Sequence, residues 1–241
     1  MENKIKLCNI LFLDIETVPE LETFEELNIV KQELFAQKTQ YQRKEEFSPD
    51  EFYERAGIWA EFGKIVCISV GFFDDHTTDL TFRLKSFYGN DEAKILIDFK
   101  NLLEKYYSKK QHLLCAHNGK EFDFPYIARR MIINKIELPE KLNLFGKKPW
   151  EVAHLDTLEM WKFGDFKHYT SLNLLTNILG IASPKEDIDG SQVANVYYQD
   201  KDLDRIAKYC ENDTLAVAQV YLRLMNLEIL KEEQVIRVEV Y

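Results

Sequence analysis

The chain has 241 residues, enough for one sizeable domain with a proper core, and its apolar and charged fractions exclude a disordered tail. A formal charge of −10 counts against a broad basic face that coats nucleic acid, but not against an enzyme that grips one chain end. No apolar run reaches the ~18 residues that a membrane-spanning helix needs.

Residues 7–13 (LCNILFL) are apolar on both faces, as in a central strand of a covered sheet. This run ends at Asp14 with no small-residue cleavage site, so it reads as a strand and not as a signal peptide. Residues 20–61 are an acid-rich, helical stretch with Phe24, Leu27, Phe35, Phe52 and Tyr53. That is too long for a hairpin loop, so it is expected as an insertion, either a lid or interface or a decoration of the sheet edge. Residues 65–73 and 79–87 are two further strand-like runs, and the polar stretch 74–78 between them suits a hairpin turn. Asn90 or Asp91 is placed to cap a helix running to about residue 107, with Ile95, Leu96, Phe99, Leu102 and Leu103 at helical spacing.

Residues 112–116 read as a short buried strand and 124–134 as a helix, followed by a Pro/Gly-punctuated stretch, 137–150. A strand or strand–helix is expected at 154–161, and a short helix at 171–179 ended by Gly180. Asp202 caps a long helix to about residue 230, and residues 235–240 add an edge strand. An antiparallel three-strand meander followed by alternating helices and strands predicts a mixed α/β sheet flanked by helices. The cysteines at 8, 67, 115 and 210 are scattered singly with no C-x-x-C pair, as reduced core residues of a cytoplasmic protein would be.

Three short strings place acids where a fold can bring them together. In a strand, residues i and i+2 share a face, so Asp14 and Glu16 aim two carboxylates the same way at the exit of the first strand. His117, Asn118 and Gly119 form a tight polar turn after the 112–116 strand. Phe122, Asp123 and Pro125 then open a helix whose dipole favours the Asp123 charge. Tyr209 and Asp213 stand i, i+4 on the last long helix, among the apolar-side residues Ile206, Cys210, Val217 and Val220. Taken singly, each motif has an ordinary explanation: a solvated strand exit, a helix start, the polar flank beside Glu211 and Asn212. Gathered in one cleft, four carboxylates would resist joint ionisation unless divalent cations lay between them.

D-x-E, then N-x-x-x-F-D, then Y-x-x-x-D, in that order, resembles the DEDD superfamily of 3′–5′ exonucleases in its tyrosine-bearing branch. The surrounding segments LFLDIET, HNGKEFDFPYIARR and YCENDT are similar to the proofreading exonuclease domain of family B DNA polymerases. The 61–70 segment is similar to that domain's second strand, and DGSQV at 189–193 to stand-alone bacterial relatives. The resemblance covers most of the chain outside 20–61. No polymerase region follows the third motif, so an editing role attached in cis is not expected.

This resemblance implies a ribonuclease H-like fold and a single exonuclease domain over 1–241. It implies two Mg2+ or Mn2+ ions held by Asp14, Glu16, Asp123 and Asp213, oxygen donors suited to such hard cations. It further implies that Tyr209 orients the attacking water, so that nucleoside 5′-monophosphates are released from a single-stranded 3′ end. Thr17, Asn118 and Phe122 are the implied substrate contacts. Phe145, Lys147, Lys148, Trp150, Trp161, Lys162, Phe163, Lys167 and His168 mix cations with aromatics as single-strand binders do, or form a partly packed surface. His154 and Asp156 are expected near the cleft, with a structural role preferred for the histidine. DNA is the favoured substrate. An RNA exonuclease of the same superfamily and a catalytically silent nucleic-acid- or protein-binding module are the alternatives.

Overall fold

A computed structural model describes residues 5–44, 46–74, 80–165, 167, 169–182 and 188–238. Among them a six-stranded mixed sheet forms the centre, in the order β5-β4-β1-β2-β3-β6. Strand β1 (Ile10–Pro19) pairs antiparallel with β2 (Gly63–Asp74), which pairs antiparallel with β3 (Thr81–Tyr88). On the other side of β1, β4 (Leu113–Ala116) and β5 (Leu155–Asp156) run parallel, and β6 (Val235–Arg237) closes the far edge parallel to β3. The expected meander and mixed sheet are therefore present. Residues 75–78 of the hairpin turn and 239–240 of the edge strand lie outside the described residues.

Side-chain alternation along β1 divides the molecule into layers. Leu11, Leu13 and Ile15 face one side and pack with Ile95, Leu96 and Phe99 of helix α2 (Glu92–Tyr106) and with Phe124, Ile127 and Met131 of helix α3 (Asp123–Ile133), counting α1 as Ile29–Arg43. Ile10 and Phe12 face the other side, beneath Val217, Ala218 and Tyr221 of the long helix α7 (Leu203–Leu224). Fully buried rings such as Phe12 and Phe82 each contribute roughly 1.5–3 kcal/mol of burial. Between α3 and α7 the chain forms α4 (Thr157–Lys162), α5 (Leu172–Ile178) and the single turn α6 (Val193–Asn195).

Several expected boundaries shift. The first strand starts later than expected: residues 7–9 form a 3-10 turn, and β1 runs from Ile10 through Asp14 and Glu16 to Pro19. The reason is pairing, because β2 accompanies β1 along that whole length, with a register shift between Glu16 and Thr17. The last helix stops at Leu224, not near residue 230. Asn226 adopts a left-handed φ of 56°, and the Leu227 and Asn226 amides donate back to the Leu222 and Arg223 carbonyls. This is a glycine-type helix stop built on asparagine.

Residues 20–61 contain α1 and a 3-10 segment, Glu51–Ile58, gathered around Phe35, whose ring meets Phe24, Tyr53, Trp59 and Phe62. The 3-10 segment lies against the end of β1, so close that a Cβ on Gly57 would come within 3.1 Å of the Val18 backbone. The hydroxyl of Tyr126 on α3 donates to the Gly57 carbonyl at 2.7 Å.

Candidate active site

The alternation that buries Ile10 and Phe12 continues along β1, so Asp14 and Glu16 face the same side, toward α7. Helix α7 is fixed over them by its own small polar groups. The Thr214 hydroxyl reaches the carbonyl of Ser69, the residue paired with Asp14 across β1 and β2. The Cys210 thiol donates to the Asp14 carbonyl at 3.3 Å and to Asp14 Oδ2 at 3.5 Å. One turn on, Asp213 faces the same cleft, and the Tyr209 hydroxyl hydrogen-bonds to its carboxylate. Glu211 and Asn212 point the other way, held by Arg237 of β6 at 3.2 and 2.7 Å. Asp213 is thus not on that polar flank.

Asp123 arrives from the opposite neighbour. Phe12 pairs with Cys115, so β4 ends close to the level of Asp14, and the chain turns there into α3. Beyond the end of β4, the Ile15 amide donates to the Asp123 carboxylate. The turn itself is tightly specified. Asn118 takes a left-handed φ of 63°, a conformation asparagine tolerates. A Cβ on Gly119 would come within 2.4 Å of the Ala116 side chain, so only glycine fits without movement. Buried Asp156 accepts the Asn118 and Lys120 amides, each at 3.0 Å, while capping α4 through the Leu158 and Glu159 amides.

The four acids act on one another. Burial and the charges of Asp213, Glu16 and Asp123 push the Asp14 carboxyl well above its ordinary range, with the Cys210 thiol opposing the shift. Burial, then the Asp156 and Asp213 charges, push Asp123 up to about 7, against its own amide and that of Ile15. Burial raises Asp213 to about 6 although Tyr209 donates to it. Ligand atoms of Asp14, Glu16 and Cys210 all lie within 4.8 Å of one another. Oxygen donors in this number suit a hard divalent cation, and the thiol adds a softer neighbour.

The expected substrate contacts have structural partners of their own. The Thr17 hydroxyl bonds to Tyr126, and the Phe122 ring packs at a tilt against the Tyr126 ring, 5.3 Å between centres. The Asn118 backbone serves the turn. His154 is structural: it accepts the Leu114 amide, hydrogen-bonds the Lys141 carbonyl, and is pushed down to about 4 by burial. Trp161 packs into the apolar cluster of Leu175, Ile181 and Val220, whereas Phe163, Phe145 and Trp150 are exposed. His168 lies outside the described residues.

Sequence reasoning missed two neighbours. Cys210 sits inside the third motif yet was read only as core, although it touches Asp14. Asp156 was expected near the cleft without a role. Its signal is Asp followed three residues later by Glu159, a helix-start pattern, which marks the cap but not the clamp on the turn. The turn 189–192 also borders the site, since a Cβ on Gly190 would lie 4.0 Å from the Tyr209 hydroxyl.

A family model described as RNase_H superfamily matches residues 53–225, a span that holds Asp123, Tyr209 and Asp213 but not Asp14 and Glu16. Among solved structures, the chain is similar to the family B DNA polymerase from the hyperthermophilic archaeon Pyrobaculum calidifontis. The TM-score is 0.53 at 16% identity, over 88% of this chain and 24% of that one. At that identity the likeness speaks to the fold alone, and the chain spans less than two thirds of the polymerase. Among the described residues no helix is long and apolar enough to cross a membrane.

Proposed function

This chain belongs to the RNase H superfamily, and from that premise we propose that it is a metal-dependent 3′–5′ exonuclease of the tyrosine-type DEDD group, acting on single-stranded nucleic acid with DNA favoured. One observation carries the reading: the carboxylates of Asp14, Asp123 and Asp213, from β1, α3 and α7, act at Asp14 together with Glu16, and those three are raised by burial or by their neighbours. A fold gains nothing from crowding like charges unless a cation or a reaction makes use of them.

Asp14, Glu16, Asp123 and Asp213 would hold two Mg2+ or Mn2+ ions, with Asp14 central because it feels all three others. Bound there, such ions lower the pKa of a water and offset charge on the attacked phosphate and the leaving oxygen. Tyr209 donates its hydroxyl proton to Asp213, and a lone pair of the same phenolic oxygen would accept from the attacking water and orient it. The Ile15 amide and the Asp156-clamped turn keep Asp123 aimed at the cleft. Thr17, Asn118 and Phe122 would meet the terminal nucleotide.

We read the whole chain as one such domain, with residues 20–61 inserted at the end of β1. A stand-alone bacterial form and a cytoplasmic setting belong to the same proposal. The test is a nuclease assay on 3′- and 5′-labelled DNA and RNA strands, with Mg2+, Mn2+ or EDTA. The expected outcome is stepwise shortening from the 3′ end that disappears in EDTA and in Asp14→Ala. Undiminished activity in the variant would overturn the reading, and preference for RNA would move the substrate to the alternative.

A further inference from the structure

A groove of about 340 Å3 runs along the outer flank of α3, walled on its far side by Leu138, Leu142, residues 144–147, Pro149 and Val152. Pro125, Ala128, Arg129 and Ile132 line it at helical spacing, on the side of the helix turned away from Asp123. Lys120, Phe124 and Pro125, which bracket Asp123 in the chain, line the groove's end at the start of α3.

The charge of this groove opposes that of the molecule. The chain carries −10 overall, yet among the described residues that line the groove are three cations and no carboxylate. The larger cavity between β3 and α2 mixes its lysines with Asp91 and Asp98, and a third, near the start of α1, is lined by five acids. A polyanion therefore finds one favourable channel among these three. Lys120 is engaged with Glu159, so Arg129 and Lys147 supply most of the groove's attraction.

Its rim also carries rings. Phe145 lines the groove and Trp150 follows the lining residue Pro149; the two are 74% and 75% exposed, and the Lys148 ammonium sits 5.3 Å from the Trp150 ring centre. Cations tracking a backbone beside exposed aromatic faces are what a single strand needs, because every base offers a face to stack.

We propose that this groove holds the upstream part of a single-stranded nucleic acid whose 3′ end lies at the carboxylates, an inference that rests on the nuclease reading above. Crossing the ~10 Å width of a helix takes about three stacked nucleotides at ~3.4 Å each, so the groove receives the strand from about the fourth nucleotide onward. Arg129 and Lys147 meet its phosphates, and Phe145 and Trp150 meet its bases.

The experiment measures binding in EDTA, where no turnover occurs, using labelled dT12 and the full chain. Arg129→Gln with Lys147→Gln is expected to flatten the dependence of log K on log salt by about 1.4, at ~0.7 per phosphate contact. Phe145→Ala and Trp150→Ala are each expected to weaken binding roughly 5- to 100-fold. Trp150→Phe is expected to remove most of the quenching of tryptophan fluorescence by dT12. In cleavage, KM for wild type falls as the strand lengthens from three to about eight nucleotides, and the groove variants lose that fall. Lys94→Gln, which breaks an exposed pair with Asp98 on α2, outside the groove lining, is the control for charge alone. An unchanged salt slope with unchanged quenching overturns the groove while leaving metal-dependent cleavage intact. Groove-dependent binding without any metal-dependent cleavage overturns the nuclease reading instead.

Discussion

Helix α3 touches two buried acidic centres built on opposite logic. Near its end, the Glu92 carboxylate is surrounded by donors: Arg130 through two nitrogens, the Ile65 amide at 2.7 Å and the Asn134 amide at 2.8 Å. Arg130 in turn donates to the Ala60 carbonyl, so charge and hydrogen-bonding capacity close within the protein. At the helix start, Asp123 and its companions face one another and are pushed toward protonation. One centre is complete as folded. The other is complete only with protons or cations, and that asymmetry separates a structural acid from a functional one more sharply than burial does.

The largest test of this contrast is a pair of substitutions. Glu92→Ala leaves Arg130 buried without its carboxylate and is expected to lower stability by about 3–5 kcal/mol in urea denaturation. Asp14→Asn removes one of four mutually repelling charges. In EDTA at pH 7.5 it is expected to leave stability unchanged or raise it by about 1 kcal/mol, while abolishing cleavage. Equal destabilisation by both would erase the distinction.

A second test uses pH. Asp123 and Asp213 titrate near 7 and 6 in the fold, against an ordinary value of 3.8. Between about pH 4 and 7 the folded chain therefore binds more protons than the unfolded one, and stability falls as pH rises through that window. The loss is on the order of 3 kcal/mol, or roughly 5–10 °C in Tm between pH 5 and pH 7.5 in EDTA. Added Mn2+ is expected to restore Tm more at pH 7.5 than at pH 5. A metal-free Tm that climbs from pH 5 to 7.5 would contradict the coupled acids.

The smallest expected effect concerns Tyr209. Tyr209→Phe removes the proton donor to Asp213, so Asp213 should titrate higher still, and turnover should fall about 10- to 100-fold with metal affinity changed little. Loss of metal binding at intact turnover per bound metal would remove the proposed role.

Much of this arrangement was legible in local spacing. Two carboxylates at i, i+2 on an apolar strand and a tyrosine and aspartate at i, i+4 on a helix share faces by geometry, and the folded chain keeps those faces. What local spacing could not supply was pairing between distant segments. Nothing near residue 14 indicates that Ser69 of β2 will lie opposite Asp14, or that the register shifts between Glu16 and Thr17. Nothing near Asp156 indicates that its oxygens reach back 36 and 38 residues to the 118–120 turn. The end of α7 was overrun because its stop uses Asn226, a weaker signal than glycine.

The clasp of Arg237 on Glu211 and Asn212 has a consequence for how the sequence can drift. Those two residues sit inside the motif that carries Tyr209 and Asp213, yet they answer to a partner on the edge strand and not to the cleft. Among relatives, positions 211 and 212 should therefore vary in step with 237, a covarying set nested within a motif whose other letters stay put. A substitution at 211 that strands Arg237 would be rescued by a change at 237, whereas no second site would rescue a lost Asp213.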